Sequence, residues 1–366
     1  MWRWIGRITI GVILLIVIAA AAVIIDESTD HQALVTRSKN PDLKTIKPDW
    51  QGNAIDQRER FMDERHPYIP SMFKVVKWKI GGNPLKAEKE QDSWRPEVKD
   101  PSQFLDSDAD GIMWLGHASF YIRIGGKALL IDPVFGDHLF LRRLVPVGSQ
   151  LDQLRQVDYV LVSHDHRDHM DEQSLKSIAA KFSRATFIAG LRSEDVLKDW
   201  TTPMNRVITA GWYQEVDTGD PDVKIYFLPA RHWSRRSLLD TNWRLWGSYM
   251  IQIGGKAIYF GGDSAYSENF RELGEMFPAI DYFIVGIGAY EPRWFMEPIH
   301  KSPEEAVRGF VESKAAVLIP MHYGTFDLSD EPASWPLKQL TEAAEKAGVK
   351  DRLRPLAINE ALLIDN

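Results

Sequence analysis

"SHDHRDHMD", residues 163–171, packs three histidines and three aspartates into nine positions. The stretch before it, "VDYVLV", is apolar and rich in β-branched residues, the pattern of a buried strand. The stretch that follows, "DEQSLKSIAAKF", has helical spacing, with Asp171 placed to cap the helix. The cluster therefore sits on a strand-to-helix turn, a common position for a site in an α/β sheet.

Working outward, the chain continues as strands and helices. "ATFIAG" reads as a strand and "LRSEDVLKDW" as a short helix. "VKIYFLPARHW" is a strand ending on His232. "WGSYMIQIGGKAIYFGGDSAY" is a hairpin turning on Gly254 and Gly255 and ending on Asp263. "DYFIVGIGAY" is a strand. "SPEEAVRGFVES" carries a capping box, with Ser302 at the cap, Pro303 next and Glu305 at the third position. "AAVLIPMHYG" is a strand ending on His322, and "WPLKQLTEAAEKAG" is a closing helix. Upstream, "IMWLGHASFYIRIGGKALLIDPVF" reads as two or three strands turning on Gly125 and Gly126. Hairpins mixed with strand–helix units, in two similar halves, predict an α/β (α+β) fold of two sheets packed face to face with helices outside.

Four segments thus deliver ligand-type side chains just after apolar strands: the cluster, His232, Asp263 and His322. Taken singly, an aspartate after Gly-Gly is a turn residue and a lone histidine is usually structural. Together they predict a site for two divalent cations. His164 and His166 alternate and can converge, Asp168 and His169 lie on the next turn, and Asp263 can bridge, since the "GGDS" turn lets its backbone come close. Imidazole and carboxylate suit zinc, and also accept iron or manganese. The chain has no cysteine, so thiolate ligands and a thiol nucleophile are excluded. His31, His66 and His138 lack this context and read as surface or structural.

Composition is ordinary for a folded protein, and the formal charge of −7 gives no bulk attraction to nucleic acid. The N-terminus differs. From Ile8 to Ile25 no residue is charged, and at ~1.5 Å per residue this run spans roughly 27 Å, near the ~30 Å of a bilayer core. Arg3 and Arg7 precede it and Asp26, Glu27 and Asp30 follow. This predicts a single-pass anchor with the remainder on the non-cytoplasmic side, periplasmic or extracellular, a cleaved signal peptide being the rival. The predicted organisation is an anchor over 1–25, a linker over 26–60 disordered to about residue 50, and a hydrolase domain over 61–366. That domain opens with an extended lead-in to about residue 110, holding a short helix or strand at "SMFKVVKWKI".

The H-x-H-x-D-H of residues 164–169 resembles the signature of the metallo-β-lactamase fold. "GHASFYIRIGGKALLIDPVF", "SHDHRDHMD", "PARHWSRRSLLDTNWRLWGSY", "FGGDSAY", "GAYEPRWFMEPIHKSPEEAV" and "PMHYGTFDL" resemble, in consistent order over roughly residues 61–366, the N-acylphosphatidylethanolamine-hydrolysing phospholipase D family. The resemblance implies a four-layer αβ/βα sandwich. It implies one zinc on His164, His166, His232 and Asp263, and a second on Asp168, His169, Asp263 and His322. It also places His300 beside the metals on the substrate side. The apolar run at 8–25 departs from the animal enzyme of that family.

The expectation is a membrane-anchored binuclear zinc phosphodiesterase of phospholipase D type. A metal-bound hydroxide would attack the phosphodiester of an N-acylated or related membrane phospholipid and release phosphatidic acid. Asp263, Asp168 and His300 are the candidate catalytic residues; Tyr290, Glu291, Arg293, Trp233 and Arg235 are the candidate substrate contacts. The loop from Arg231 to Trp246 interleaves arginines that suit phosphate with tryptophans that suit an acyl chain. An alternative keeps the metals and changes the bond, to a lactone, carboxyl ester or amide. A third reading is a non-catalytic lipid-binding envelope protein. Activity on phosphodiester, lactone and ester probes separates the three. Oligomeric state is left open.

Overall fold

The structure, a computed structural model, describes residues 36–137, 142–145 and 151–364. One seven-stranded sheet runs from Arg206–Ala210 through Thr186–Gly190, Tyr159–Leu161, Lys127–Ile131, Ser119–Ile124 and Gly111–Gly116 to Ala361–Leu363. Its first four strands are parallel neighbours and the rest pair antiparallel. A second seven-stranded sheet runs from Val317–Met321 through Tyr282–Gly286, Lys256–Phe260, Ser248–Ile253, Val223–Leu228 and Gln214–Val216 to Lys44–Thr45. Here the first three strands are parallel neighbours. Each half is thus a Gly-Gly hairpin leading into parallel strands, as the sequence pattern predicts.

Strand alternation sorts the core. Ile112, Trp114, Phe120, Ile122, Leu129 and Ile131 join Phe227, Tyr249, Ile251 and Ile258 in one apolar cluster. Their neighbours Met113, Tyr121, Leu130 and Val160 form another with Leu175, Ile178 and Leu197 of helices Glu172–Lys181 and Glu194–Trp200. Against the second sheet lie helices Asn269–Met276 and Pro303–Ser313, through Phe270, Ala306 and Phe310. The result is helix, sheet, sheet, helix. Tyr249 ties the layers across the core, its hydroxyl donating to the carbonyls of Val162 and Ile188 at 2.8 and 3.0 Å.

Two expectations change. Residues 36–62, expected within or beside a linker, form strands. Lys44–Thr45 extends the second sheet, and Thr36–Ser38, Asn53–Ile55 and Phe61–Met62 make a small sheet of their own. Asn40 donates to the carbonyl of Thr209 at 2.8 Å, and buried Gln214 answers with a bond to the carbonyl of Asn40 at 2.7 Å. Partners distant in the chain thus order a polar segment. The expected membrane-spanning helix is also corrected. Among the described residues no helix is long and apolar enough to cross a membrane. The longest of them, Trp335–Lys346, has 12 residues, roughly 18 Å at ~1.5 Å each, and carries charged side chains. Residues 8–25 lie outside the described residues. The fold class is the sandwich alone, and neither the anchor nor the non-cytoplasmic location built on it is carried further.

Candidate metal centre

Every expected ligand leaves the carboxyl end of a strand. His164 and His166 follow Tyr159–Leu161. The chain then turns, with His169 and Met170 both donating their N–H to the carbonyl of His166. Asp171 caps the next helix by accepting from the N–H of Ser174 at 2.9 Å, as its position predicts. His232 follows Val223–Leu228 and His322 directly follows Val317–Met321. Asp263 stands on a glycine turn that admits no other residue comfortably. Gly262 has φ +54°, and a Cβ there would lie 2.7 Å from the carbonyl oxygen of Gly247 and 2.9 Å from Ser163 Cβ.

All seven side chains meet. His164, His166 and His232 form one group of donors, and Asp168, His169 and His322 belong to another. His164 Nε2 lies 2.9 Å from His166 Nδ1, which lies 3.3 Å from His232 Nε2. Asp263 Oδ2 sits between the groups, 3.1 Å from His322 Nε2, 3.3 Å from His169 Nε2 and 3.9 Å from His232 Nε2. Outer contacts orient the rings. His232 Nδ1 donates to the carbonyl of Ile299 at 2.9 Å, turning its Nε2 inward.

Burial and crowding set the charges. Burial, then neighbouring histidines, hold His164 well below its usual range; burial pushes His166 to about 3 and His232 to about 4. Burial opposes ionisation of Asp263, but His322 and His169 outweigh it and hold the carboxyl well down. Burial opposes a charge on His169 and His322 as well, but Asp263 and Asp168 outweigh it and raise both. His164, His166 and His232 therefore stand neutral beside ionised carboxylates, while His169 and His322 hold protons that a bound cation would replace. His166 Nε2, His169 Nε2, His322 Nε2 and Asp263 Oδ1 are buried without a hydrogen-bond partner among the described residues. Buried polar atoms seldom stay unpaired. Nitrogen and oxygen donors without sulfur, unpaired and facing one another, fit two divalent cations.

Two further residues complete the centre, and sequence reasoning passed over both. Asp132 accepts from His169 Nδ1 at 2.7 Å and from the Ser163 hydroxyl at 2.6 Å. His117 places Nε2 3.0 Å from Asp168 Oδ2. The signal was present: each stands at the end of a strand in "GHASFYIRIGGKALLIDPVF", the same position that marked the other ligands.

The expected substrate residues divide. His300 lies at the centre, its ring 5.2 Å from that of His232 and 5.4 Å from that of His322. Trp233 stands edge-on to His166 at 4.5 Å, with its indole N–H buried and unpaired among the described residues. Arg235 lies 5.1 Å over the Trp233 ring. Tyr290 is buried, and its hydroxyl bonds Gln339 at 2.8 Å. Glu291 accepts from the N–H of Arg293, and Arg293 binds both oxygens of Glu305 and the carbonyl of His300. These bonds assign Tyr290, Glu291 and Arg293 to holding the segment that carries His300. The other arginines of the loop are likewise spent inside the protein. Arg244 bonds Asp165, Asp195 and Asp240; Arg236 donates to the carbonyls of Asp165 and Met170; Arg231 donates to that of Tyr266. His66 pairs with Glu268 at 2.9 Å, while His31 and His138 lie outside the described residues. A cavity of about 440 Å³ opens beside His322, with Arg95, Arg142, Tyr323 and Glu331 in its wall.

Comparison with known proteins agrees with this geometry. A family model described as a beta-lactamase superfamily domain matches residues 127–323. A Mycobacterium tuberculosis protein, named only as uncharacterized, is 34% identical over 64% of this chain and 64% of its own length; the chain thus spans just under two thirds of that relative. A Caenorhabditis elegans protein named N-acyl-phosphatidylethanolamine-hydrolyzing phospholipase D 1 is 29% identical over 83% of this chain and 91% of its own. Among solved structures, a metallo hydrolase from the archaeon Ignicoccus hospitalis superposes with a TM-score of 0.54. It covers 70% of this chain and 99% of its own at 19% identity, which shows a shared fold.

Proposed function

The chain belongs to the beta-lactamase superfamily domain family, and from that membership we propose that it is a metal-dependent hydrolase, a binuclear zinc phosphodiesterase of phospholipase D type acting on an N-acylated or related phospholipid. The observation that carries the proposal is that two groups of donors flank Asp263, whose Oδ2 lies within 3.9 Å of nitrogens from both, with buried imidazole nitrogens left unpaired among the described residues. The name of the worm relative supports the choice of bond. His164, His166 and His232 would hold one cation and Asp168, His169 and His322 the other, with Asp263 shared. When bound, two such cations supply Lewis acidity at a phosphoryl oxygen and lower the pKa of a nearby water.

The chain's own residues do the rest. Asp263 Oδ1 is unpaired among the described residues and can accept a hydrogen bond from the attacking water, which orients it. The water oxygen ends on phosphorus, and the N-acylated head-group alcohol leaves with a proton, giving phosphatidic acid. His300, held well below its usual range by burial, is neutral near pH 7 and can receive or return a proton at the site's edge. Trp233 offers its N–H to a substrate oxygen. Arg235, with no carboxylate partner among the described residues, offers a cation to the phosphate. Exposed apolar side chains on one helix would suit an acyl chain. Helix Met72–Gly81 packs Val75 and Trp78 on Phe295 and Ile299 and turns Phe73 and Ile80 outward, 65% and 80% exposed.

The test offers the zinc-loaded protein an N-acylated phosphatidylethanolamine, a lactone and a carboxyl ester in ¹⁸O water, with products read by mass spectrometry. Phosphatidic acid carrying the label, formed at least about tenfold faster than either carboxyl product, is expected. Lactone or ester turnover without phosphatidic acid would overturn the choice of bond.

A further inference from the structure

We infer that His117 is a positioning residue for one half of the centre, holding Asp168 and His322 in place and so setting the affinity for one of two cations. The inference rests on the binuclear reading above. His117 is buried and its backbone is left-handed, with φ +51°. Its N–H donates to the Thr325 hydroxyl at 2.7 Å. Its carbonyl accepts from the N–H of His322 at 2.9 Å and from the Trp114 indole, also at 2.9 Å. Its ring lies 4.0 Å from the His322 ring, and its Nε2 lies 3.0 Å from Asp168 Oδ2. One residue therefore touches two ligands that are far apart in the chain, one through its side chain and one through its backbone.

His117 stands in one donor group with Asp168, His169 and His322, and its hydrogen bond to Asp168 assigns it to positioning rather than ligation, which the glutamine variant tests. An ionised carboxylate only accepts, so the close contact with Asp168 needs the proton on His117 Nε2. That nitrogen then has no lone pair for a cation. Its N–H fixes Asp168 Oδ2, the oxygen that also lies 3.8 Å from His169 Nε2 and 3.8 Å from His322 Nε2, and so sets where that carboxylate meets the other donors. The ring against His322 limits that imidazole's rotation, and the backbone bond sets the position of its Cα. His322 is itself left-handed, at φ +63°, so its placement depends on such an external hold.

The test is zinc titration of the full chain against a chromophoric chelator, for wild type, His117→Asn and His117→Gln, with circular dichroism of each metal-free protein. Asparagine tolerates the left-handed backbone but is too short to reach Asp168; glutamine places an amide N–H near the lost Nε2. Wild type should bind two equivalents. His117→Asn should bind one normally and the other about 10–100-fold more weakly, and His117→Gln should recover most of the loss. A His117→Asn chain that binds like a two-equivalent wild type overturns the inference alone. So does a parallel fall in both affinities, a glutamine that recovers nothing, or a metal-free variant without native dichroism, which would make His117 a folding residue. A wild-type chain that binds a single equivalent overturns the binuclear reading and the inference with it.

Discussion

His169 and Asp132 meet through Nδ1 and Oδ2 at 2.7 Å, both side chains wholly buried. The contact puts the His169 proton on Nδ1 and leaves Nε2 facing Asp263. Asp132 also accepts from the backbone N–H and hydroxyl of Ser163, the residue just before the first ligand. One carboxylate therefore orients His169 and anchors the start of the loop that carries four expected ligands.

Asp132→Asn should weaken zinc binding by about 10–100-fold. Asparagine keeps the shape, but its amide nitrogen cannot accept, so at least one of the three donors loses its partner. Competition with a chelator measures the change. Unaltered affinity, with the fold intact by circular dichroism, would remove Asp132 from the centre.

Arg244 and Arg235 stand nine residues apart on one loop and should behave oppositely. Arg244 is buried among Asp165, Asp195 and Asp240, and Asp165 is buried between two expected ligands. Arg244→Ala leaves that carboxylate uncompensated and should cost about 3–5 kcal/mol in denaturant unfolding. Arg235→Ala removes a partly exposed side chain with no carboxylate partner among the described residues. It should change stability by less than about 0.5 kcal/mol and instead raise KM for a phosphodiester. The reverse ranking would show that the phosphate contact lies elsewhere.

These two arginines mark what could and could not be read from the chain. The cluster at 164–169 was legible because its ligands are local: their spacing alone makes them converge, and the apolar strand before them says where. His232, Asp263 and His322 followed from the same strand-end position. His117 and Asp132 share that position, but each stands alone, as Gly-His and Asp-Pro at ordinary turns, and only tertiary packing reveals Asp168 or His169 opposite. Composition could not separate Arg244 from Arg235, because what distinguishes them is acidic partners brought in by other strands and helices. The residues around Asn40 read as linker for the same reason, since their order comes from Gln214 and Thr209. Local hydrophobic period was reliable; long-range polar pairing was not.

Lys301 should give stability a pH dependence above neutrality. Its ammonium is buried, donates to the carbonyl of Ser264 at 2.8 Å, and burial lowers it to about 8 from 10.5. Between those values the unfolded chain holds a proton that the folded chain has released, so the residue's contribution becomes more favourable as pH rises through the window. Below about pH 8 the folded chain carries the buried charge and its full cost. At about 1.4 kcal/mol per pKa unit, wild type should gain roughly 3 kcal/mol over Lys301→Met between pH 7.5 and 10.5. Denaturant unfolding of both metal-free proteins across that range checks the sign, and a flat difference would show that the folded chain holds the Lys301 proton as tightly as the unfolded chain does.

Asp263 and His300 separate metal holding from substrate handling. Asp263 Oδ2 lies within 3.9 Å of nitrogens from both donor groups, and its other oxygen is unpaired among the described residues. Asparagine there keeps the shape and loses the charge that two cations share, so Asp263→Asn should lose at least one equivalent of zinc and nearly all turnover. His300 stands one ring away from His232 and His322, on a segment held by Arg293 and Glu305 and tied to His232 through the carbonyl of Ile299. His300→Asn should therefore keep its zinc. Its loss should fall on kcat, by the 10²–10⁴-fold typical of a proton-transfer group, with little change in KM. Metal analysis beside steady-state kinetics distinguishes the two. If His300→Asn also sheds zinc, His300 is a ligand, consistent with its place in one donor group with His232 and Asp263, and proton transfer passes to another residue.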